Sequence, residues 1–154
     1  MSMVYITKSK NRTGAQNDMD VVVSYNKVHR SAEPCVLRFS FSETIKEKAF
    51  KHDSYIMFAY DRDKPTRIYV TGADEVNGYK LSRLSGDSKR YYCAPSKLAD
   101  VVKAPKVFIG NYFLDYDPDV RMWFIDCDKK FSDWWAKVIT ADRKEYKNAN
   151  QSIN

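Results

Sequence analysis

Residues 35–50 read CVLRFSFSETIKEKAF, and this stretch decides which fold the sequence predicts. Apolar and polar residues alternate from Cys35 to Phe41, which is the two-residue period of a strand with one buried face. Ser40 or Ser42 can then cap a helix, because a serine hydroxyl accepts hydrogen bonds from the free N–H groups of a first helical turn. The stretch therefore predicts a strand that leads directly into a short helix.

The residues after this helix predict a β-hairpin, and the whole order of elements then recurs. Strands are expected at 55–60 and 67–70, joined by the polar turn 61–66. The second set comprises a strand at 90–93, a helix opened by Pro95 and Ser96, a strand at 107–114, a turn at 115–119 and a strand at 120–125. We therefore expect tandem copies of one unit at 35–71 and 89–126, the alternative being a chance alignment of β-rich stretches.

Identical residues at one constant spacing favour the tandem interpretation. The coinciding pairs are Asp61 with Asp115, Asp63 with Asp117, and Arg67 with Arg121. Aspartate is favoured in turns because its side chain bonds its own backbone, so these pairs predict equivalent turns in the two copies.

Segments around the first copy carry a family resemblance. They are Leu37–Ser42 leading into the helix around Ile45, His52–Tyr55 before the second strand, Arg67–Val70 as the last strand, and Gly78–Leu81 after it. These segments resemble the swapped-hairpin family of AbrB and MazE, the last one being similar to a segment of small phage-type members. In that family two copies interlock their hairpins, and the joint surface binds DNA. The resemblance implies a β-rich α+β fold, a pseudo-duplicated swapped-hairpin barrel formed by one chain over residues 35–126.

Residues 1–34 are expected to form an N-terminal β extension. Strands predicted at 4–7 and 20–25 either pair as a separate β-hairpin or join the core sheet. The loop between them carries the basic residues Lys8, Lys10 and Arg12. Such a loop is either an ordinary flexible loop tip that happens to be basic, which is the more common case, or an arm that reaches along a phosphate backbone or into a groove.

Residues 127–154 predict a C-terminal amphipathic helix and a polar tail. The helix is expected to start at Phe131 or Ser132 and to end at Lys147. Its mostly apolar stripe comprises Phe131, Trp135, Val138, Ile139 and Asp142. This placement buries Trp135 and turns its neighbour Trp134 towards a partner surface.

The charge balance favours a polyanionic partner. The 154-residue chain contains 26 Lys plus Arg against 20 Asp plus Glu, which gives a net charge of +6. If the two copies interlock, their first strands and helix starts share one face. The basic residues expected on that face are Arg38, Lys46, Lys48, Lys51, Lys89, Arg90, Lys97, Lys103 and Lys106. Such a face would bind double-stranded DNA through its phosphates with weak sequence preference, as in a transcriptional regulator or a nucleoid-type binder.

Several function classes lack a motif in the sequence. The 3 cysteines and 2 histidines have no zinc-ligand spacing, and the 5 glycines form no phosphate-binding loop. The paired aspartates lie in predicted turns, so we expect no enzyme, metal or cofactor. No apolar run is long enough to span a membrane and the N-terminus has no secretion signal, so a cytoplasmic protein is expected.

A second function class remains open alongside DNA binding. The chain could be a phage-type protein-interaction module that modulates a host protein, with Trp134 as the contact. An antitoxin role by analogy with MazE is disfavoured, because toxin-binding tails in that family are acidic and residues 142–154 are not. A tandem duplication can satisfy the hairpin interface within one chain, so a monomer and a homodimer are equally expected.

Overall fold

The computed structural model of the protein describes residues 18–27, 35–83 and 89–153, which form two antiparallel five-stranded sheets. In spatial order the first sheet contains Ser82–Arg83 (β6), Arg90–Cys93 (β7), Cys35–Ser42 (β2), Val21–Lys27 (β1) and Gly110–Tyr112 (β8). The second sheet contains Tyr79–Lys80 (β5), Tyr55–Ala59 (β3), Arg67–Ala73 (β4), Met122–Asp126 (β10) and Asp115–Asp117 (β9). The helices are Glu43–Ala49 (α1), Leu98–Val101 (α2) and Asp133–Ile153 (α3), with short 3₁₀ helices at Pro105–Phe108 and Cys127–Lys129.

The coarse prediction of a β-rich α+β fold is confirmed. The first unit has its predicted order of β2, α1, β3 and β4, and β3 pairs with β4 as an antiparallel hairpin. Ser42 is the helix cap, since its hydroxyl accepts the Ile45 N–H at 3.2 Å. None of the helices in the described residues is both long and apolar enough to cross a membrane.

The core lies between the two sheets and is built from alternate residues of their strands. In β2, Leu37, Phe39 and Phe41 are buried. The facing sheet contributes the buried side chains of Ile56, Ile68, Val70 and Ile125. Phe39 contacts Phe58 of β3 with ring centroids 4.7 Å apart, so this pair joins the two layers. Burial of these faces supplies the main favourable free energy of folding.

The chain passes from one sheet to the other near both edges. Leu81 alone separates β5 from β6, and Phe113 and Leu114 separate β8 from β9. Each sheet nevertheless ends in its own edge strands, so the described residues form no closed barrel. The predicted swapped-hairpin barrel is therefore not confirmed, because short crossings connect the sheets where a barrel would need continuous strand pairing.

The second unit differs from the first in its middle strand. The residues predicted as one strand at 107–114 instead end a 3₁₀ helix, form the three-residue strand β8 and then cross to the second sheet. Pro105 opens that 3₁₀ helix, and proline is suited to the first helical turn because it lacks an N–H. The first strands of the two units, β2 and β7, do pair, as do the last strands, β4 and β10.

The identical residues that the alignment of the two units pairs with one another differ in burial and in secondary structure. Asp63 is exposed in a turn, whereas Asp117 is buried in β9. Arg67 begins β4, whereas Arg121 lies in a turn with a φ of 55°, a conformation that few L-residues adopt. The expected equivalence of the two acidic turns is therefore wrong, because β9 forms where the sequence predicts the second turn.

Part of the N-terminal region, residues 21–27, joins the core sheet and does not form a separate hairpin. These form β1, which lies between β2 and β8 in the first sheet. Val21 and Val23 point into the core and are buried. The strand predicted at 4–7 and the basic residues Lys8, Lys10 and Arg12 lie outside the described residues.

Replacing Phe39 by Ala tests whether the contact between the sheets dominates stability. Phe39 is 2% exposed, so Phe39→Ala should lower the free energy of unfolding by about 3–5 kcal/mol through lost burial and a residual cavity. Val76→Ala is the matched control, since Val76 is 90% exposed, and it should change stability by less than about 0.5 kcal/mol. Urea denaturation measures both values, and equal losses would contradict the assignment of the core.

Candidate nucleic-acid interface

The outer face of the first sheet is made by the residues that alternate with its core residues. Ser40 of β2 lies level with Val22 of β1 and Tyr92 of β7. Tyr92 is in turn level with Ser82 of β6. We call the following residues the outer face: Val22, Ser40, Tyr92 and Ser82, together with the adjacent pair of Arg38 and Ser24. It therefore presents small or hydroxyl-bearing side chains around Arg38 and Tyr92, and the Arg90 guanidinium contacts the Ser40 hydroxyl on the same face.

Arg38 and Tyr92 form a stacked pair at the centre of this outer face. The guanidinium carbon of Arg38 lies 4.3 Å from the centroid of the Tyr92 ring, within the range of a cation–π contact. Both side chains are partly exposed. In the described part of the chain, ion pairs with carboxylates are formed by Arg67 and Arg143 and not by Arg38. The positive charge of Arg38 is therefore available to an outside anion.

α3 covers the other edge of the first sheet. Asn111 of β8, level with Val22, is buried, and its side-chain amide donates to Phe131 O and to the Asp133 carboxylate, each at 3.0 Å. Backbone hydrogen bonds in both directions also join Asn111 to Phe131. Among the described residues, the part of the outer face that α3 does not cover extends over β6, β7, β2 and β1, and its side chains are half-buried.

Arg90 was predicted to contact DNA, but its donors are used within the protein. Its Nε donates to the Ser40 hydroxyl at 2.7 Å, its Nη2 to Ser40 O at 2.9 Å and its Nη1 to Met19 O at 2.9 Å. Burial lowers the pKa of Arg90 to about 10, so the guanidinium stays protonated at neutral pH. Arg90 therefore joins β7, β2 and the residues before β1, and we leave it out of the interface.

Four of the predicted lysines lie around α1. Lys48, Lys51 and Lys89 are exposed, and the Glu43 N–H donates to Lys89 O at 3.0 Å, which places Lys89 at the start of the helix. The Lys46 Nζ lies 5.7 Å from the Tyr91 ring centroid and donates to Lys51 O at 3.3 Å. We call Lys46, Lys48, Lys51 and Lys89 the α1 lysines. No described carboxylate lies within ion-pair distance of them.

The remaining predicted lysines follow the other end of β7. Lys97, Lys103 and Lys106 are exposed around α2 and the 3₁₀ helix after it, and the Lys106 Nζ lies 5.7 Å from the Tyr25 ring centroid. β2 and β7 are antiparallel, so the helices that follow them start from opposite ends of the strand pair. The predicted single basic face is therefore divided into two lysine groups, with the outer face of the sheet between them.

The C-terminal helix exposes both tryptophans. Trp134 is 64% exposed, as predicted, but Trp135 is 53% exposed, so its predicted burial is wrong. The two rings contact each other edge to face, with centroids 4.7 Å apart. Over residues 133–143 of α3, whose burial is described, the buried residues are instead Ala136 and Thr140.

Polar contacts explain why α3 turns Ala136 and Thr140, and not Trp135, towards the protein. The Thr140 hydroxyl accepts the Asp18 N–H at 3.0 Å, and the Arg143 guanidinium lies 3.7 Å from the Asp20 carboxylate. Burial raises the pKa of Asp20, against the hydrogen bond from the Leu114 N–H and the positive charge of Arg143. These anchors come from residues far from the helix in sequence, so hydrophobic periodicity did not show them.

One cluster of potential metal ligands and one buried thiol are accounted for by contacts within the protein. Asp126, Cys127 and Asp128 place potential ligand atoms within 4.8 Å of one another. One Asp126 oxygen accepts the Asp128 N–H at 3.0 Å and the other lies 3.6 Å from the Arg67 Nε, so the turn and an ion pair account for the cluster. The buried Cys93 thiol has its pKa raised to about 12 by desolvation, which makes it a poor nucleophile or ligand at neutral pH.

Comparison of the chain with known proteins finds no match among protein-family models, curated proteins or solved structures. The resemblance to AbrB and MazE therefore rests on the segments quoted from the sequence.

Replacing Arg90 and Arg38 separately tests whether Arg90 stabilises the fold while Arg38 is free to bind a ligand. Arg90→Met removes several donors from half-buried acceptors and should lower the free energy of unfolding by about 2–4 kcal/mol. Arg38→Met, the matched control on the neighbouring strand, removes a partly exposed ring contact and should cost about 1 kcal/mol or less. Urea denaturation of both variants measures the difference. A larger loss from Arg38→Met would reverse the two roles.

Proposed function

We propose that this protein is a DNA-binding protein that contacts the phosphate backbone through basic side chains and has weak sequence preference. The observation that carries the proposal is the set of lysines around α1: Lys48, Lys51 and Lys89 are exposed, and none of the set forms an ion pair with a described carboxylate, although the charge of Lys48 acts on Asp20. Lysines without a close carboxylate can neutralise phosphates and so release the counterions condensed on a nucleic acid. This release is the main source of non-specific affinity.

The overall charge supports the same proposal. A net charge of +6 attracts a polyanion from a distance and raises the rate of encounter. The second lysine group, Lys97, Lys103 and Lys106, extends the positive surface beyond the other end of β7. Phosphate contacts position a protein without reading sequence, so the role that fits is a nucleoid-type binder or a regulator with modest selectivity. The resemblance to AbrB and MazE points to the same class.

Salt dependence of binding tests this proposal. For a site with about four phosphate contacts, affinity for a short duplex should fall about 100-fold between about 50 and about 200 mM salt. Two duplexes of unrelated sequence should bind almost equally. A mobility-shift titration at both salt concentrations measures the affinities, and no binding at the lower concentration would remove the proposal.

A matched pair of triple variants locates the contact. Replacing Lys48, Lys51 and Lys89 by Gln should weaken duplex binding at low salt at least about tenfold and reduce the salt slope by about 3. The control replaces Lys64, Lys80 and Lys137 by Gln; these are also exposed but lie in the turn between β3 and β4, on β5 and on α3. Both variants lose the same charge. Equal losses would mean that net charge, and not the α1 lysines, determines the affinity.

The exposed tryptophan pair favours a second candidate function, a phage-type protein-interaction module. Tryptophan is enriched among the residues that contribute most to protein interfaces, and two adjacent exposed rings offer a large apolar anchor. Charges of both signs flank the pair in sequence: Lys129, Lys130 and Lys137 are exposed, and so are Asp128 and Asp133. The apolar rings, and not a net charge, would therefore select the partner.

Comparing two baits tests this second function. A host protein recovered with the wild-type chain and then purified should bind the Trp134→Ser, Trp135→Ser double variant at least about tenfold more weakly. Tyr116→Ser is the control, because Tyr116 is also an exposed aromatic residue but lies on β9. Equal affinity of the purified partner for the wild type and the double variant would exclude the tryptophan pair as the contact.

A further inference from the structure

We propose that the outer face of the first sheet binds unpaired bases of a single-stranded nucleic acid, which stack on the Arg38–Tyr92 pair. The inference rests on the proposed function and adds to it the kind of strand that is preferred. Stacking on aromatic rings and on arginine planes is how proteins hold unpaired bases of any sequence.

The stacked pair provides one flat surface for a base. The Arg38 guanidinium covers one side of the Tyr92 ring at 4.3 Å, so a base can continue the stack on the far side of the guanidinium. Ser82 and Ser40 flank Tyr92 within the row, and Ser24 lies level with Arg38. The Arg90 guanidinium contacts the Ser40 hydroxyl, so the room for a planar ring lies on the side of the small side chains of Ser82 and Ser24.

The hydroxyl groups beside the stack can bind base edges or phosphates. Ser40 accepts from the Arg90 Nε at 2.7 Å, which fixes its oxygen and leaves its hydroxyl hydrogen to donate. Ser24 and Ser82 occupy the outer positions of neighbouring strands and are partly exposed. Hydroxyl groups both donate and accept, which suits binding without a strict sequence requirement.

Lysines lie beyond both ends of the strand that carries the stack. Lys89 directly precedes β7 and Lys97 follows it by four residues, and both are exposed. A strand that crosses the outer face along β7 would therefore meet a cation on each side of the stacked base. None of the residues that define the outer face is acidic, and the described carboxylates of Asp18 and Asp20 are those that interact with the charge of Arg90.

Base stacking distinguishes this site from the duplex contact. In a duplex the base faces are stacked on one another and cannot reach Tyr92, whereas a single strand exposes them. Fluorescence anisotropy should therefore show that single-stranded DNA binds more tightly than a duplex of the same sequence. A single-stranded RNA of that sequence is the third probe, and its affinity relative to the DNA strand shows whether the sugar is read.

Two variants test the stack directly. Tyr92→Leu should weaken single-strand binding about tenfold and leave duplex affinity almost unchanged. Arg38→Gln should also weaken single-strand binding about tenfold, and it should weaken duplex binding by a smaller factor, because only one charge is lost there. The controls are Tyr116→Leu on β9 and Arg62→Gln in the turn between β3 and β4, which should change neither affinity. If both nucleic acids bind and the two outer-face variants behave like their controls, the stacking site is wrong and the proposed function stands. If neither nucleic acid binds at low salt, the proposed function itself fails.

A measurement on the wild-type chain covers the case in which Tyr92→Leu does not fold. A single strand that contains 5-bromouracil, irradiated in the complex, should crosslink to the peptide that contains Tyr92. Crosslinks confined to Trp134 and Trp135 would overturn the proposal and move the stacking site to α3.

Discussion

The packing of Phe39 against Phe58 between the two sheets is the contact on which the rest of the structure depends. Because strand residues alternate between faces, the burial of Phe39 forces its neighbours Arg38 and Ser40 to the opposite face. A shift of β2 by one residue would place phenylalanines in water and an arginine in the core. The hydrophobic effect thereby sets both the core and the composition of the outer face.

The two arginines of this region show how burial decides the use of a charge. Arg90 is held by Ser40 and Met19 and links three segments of the first sheet. Arg38 lies over a single ring and has no described carboxylate partner. A half-buried cation must be satisfied by the protein, whereas a cation beside solvent can exchange water and counterions for a ligand. Only the second kind is suited to binding.

The antiparallel pairing of β2 and β7 determines the shape of the positive surface. It places α1 and α2 at opposite ends of the strand pair, with the open outer face between the two lysine groups. In the proposed function, a surface of this kind would contact a flexible polyanion at several separated points. The covering of the β8 edge by α3 limits the open area to one side of the sheet.

The sequence by itself determined the features that depend on near neighbours: the β-rich class, the alternation of β2, a serine cap at either Ser40 or Ser42, and the first hairpin. These follow from local periodicity and from hydrogen bonds between residues a few positions apart. Only the tertiary structure decided the partners of Arg90, the separation of the lysine groups and the exposure of Trp135. Arg90 and Ser40 are 50 residues apart in sequence, and Thr140 and Asp18 are 122 apart. Contacts of this kind depend on which strands become neighbours, and local residue patterns carry no information about that choice.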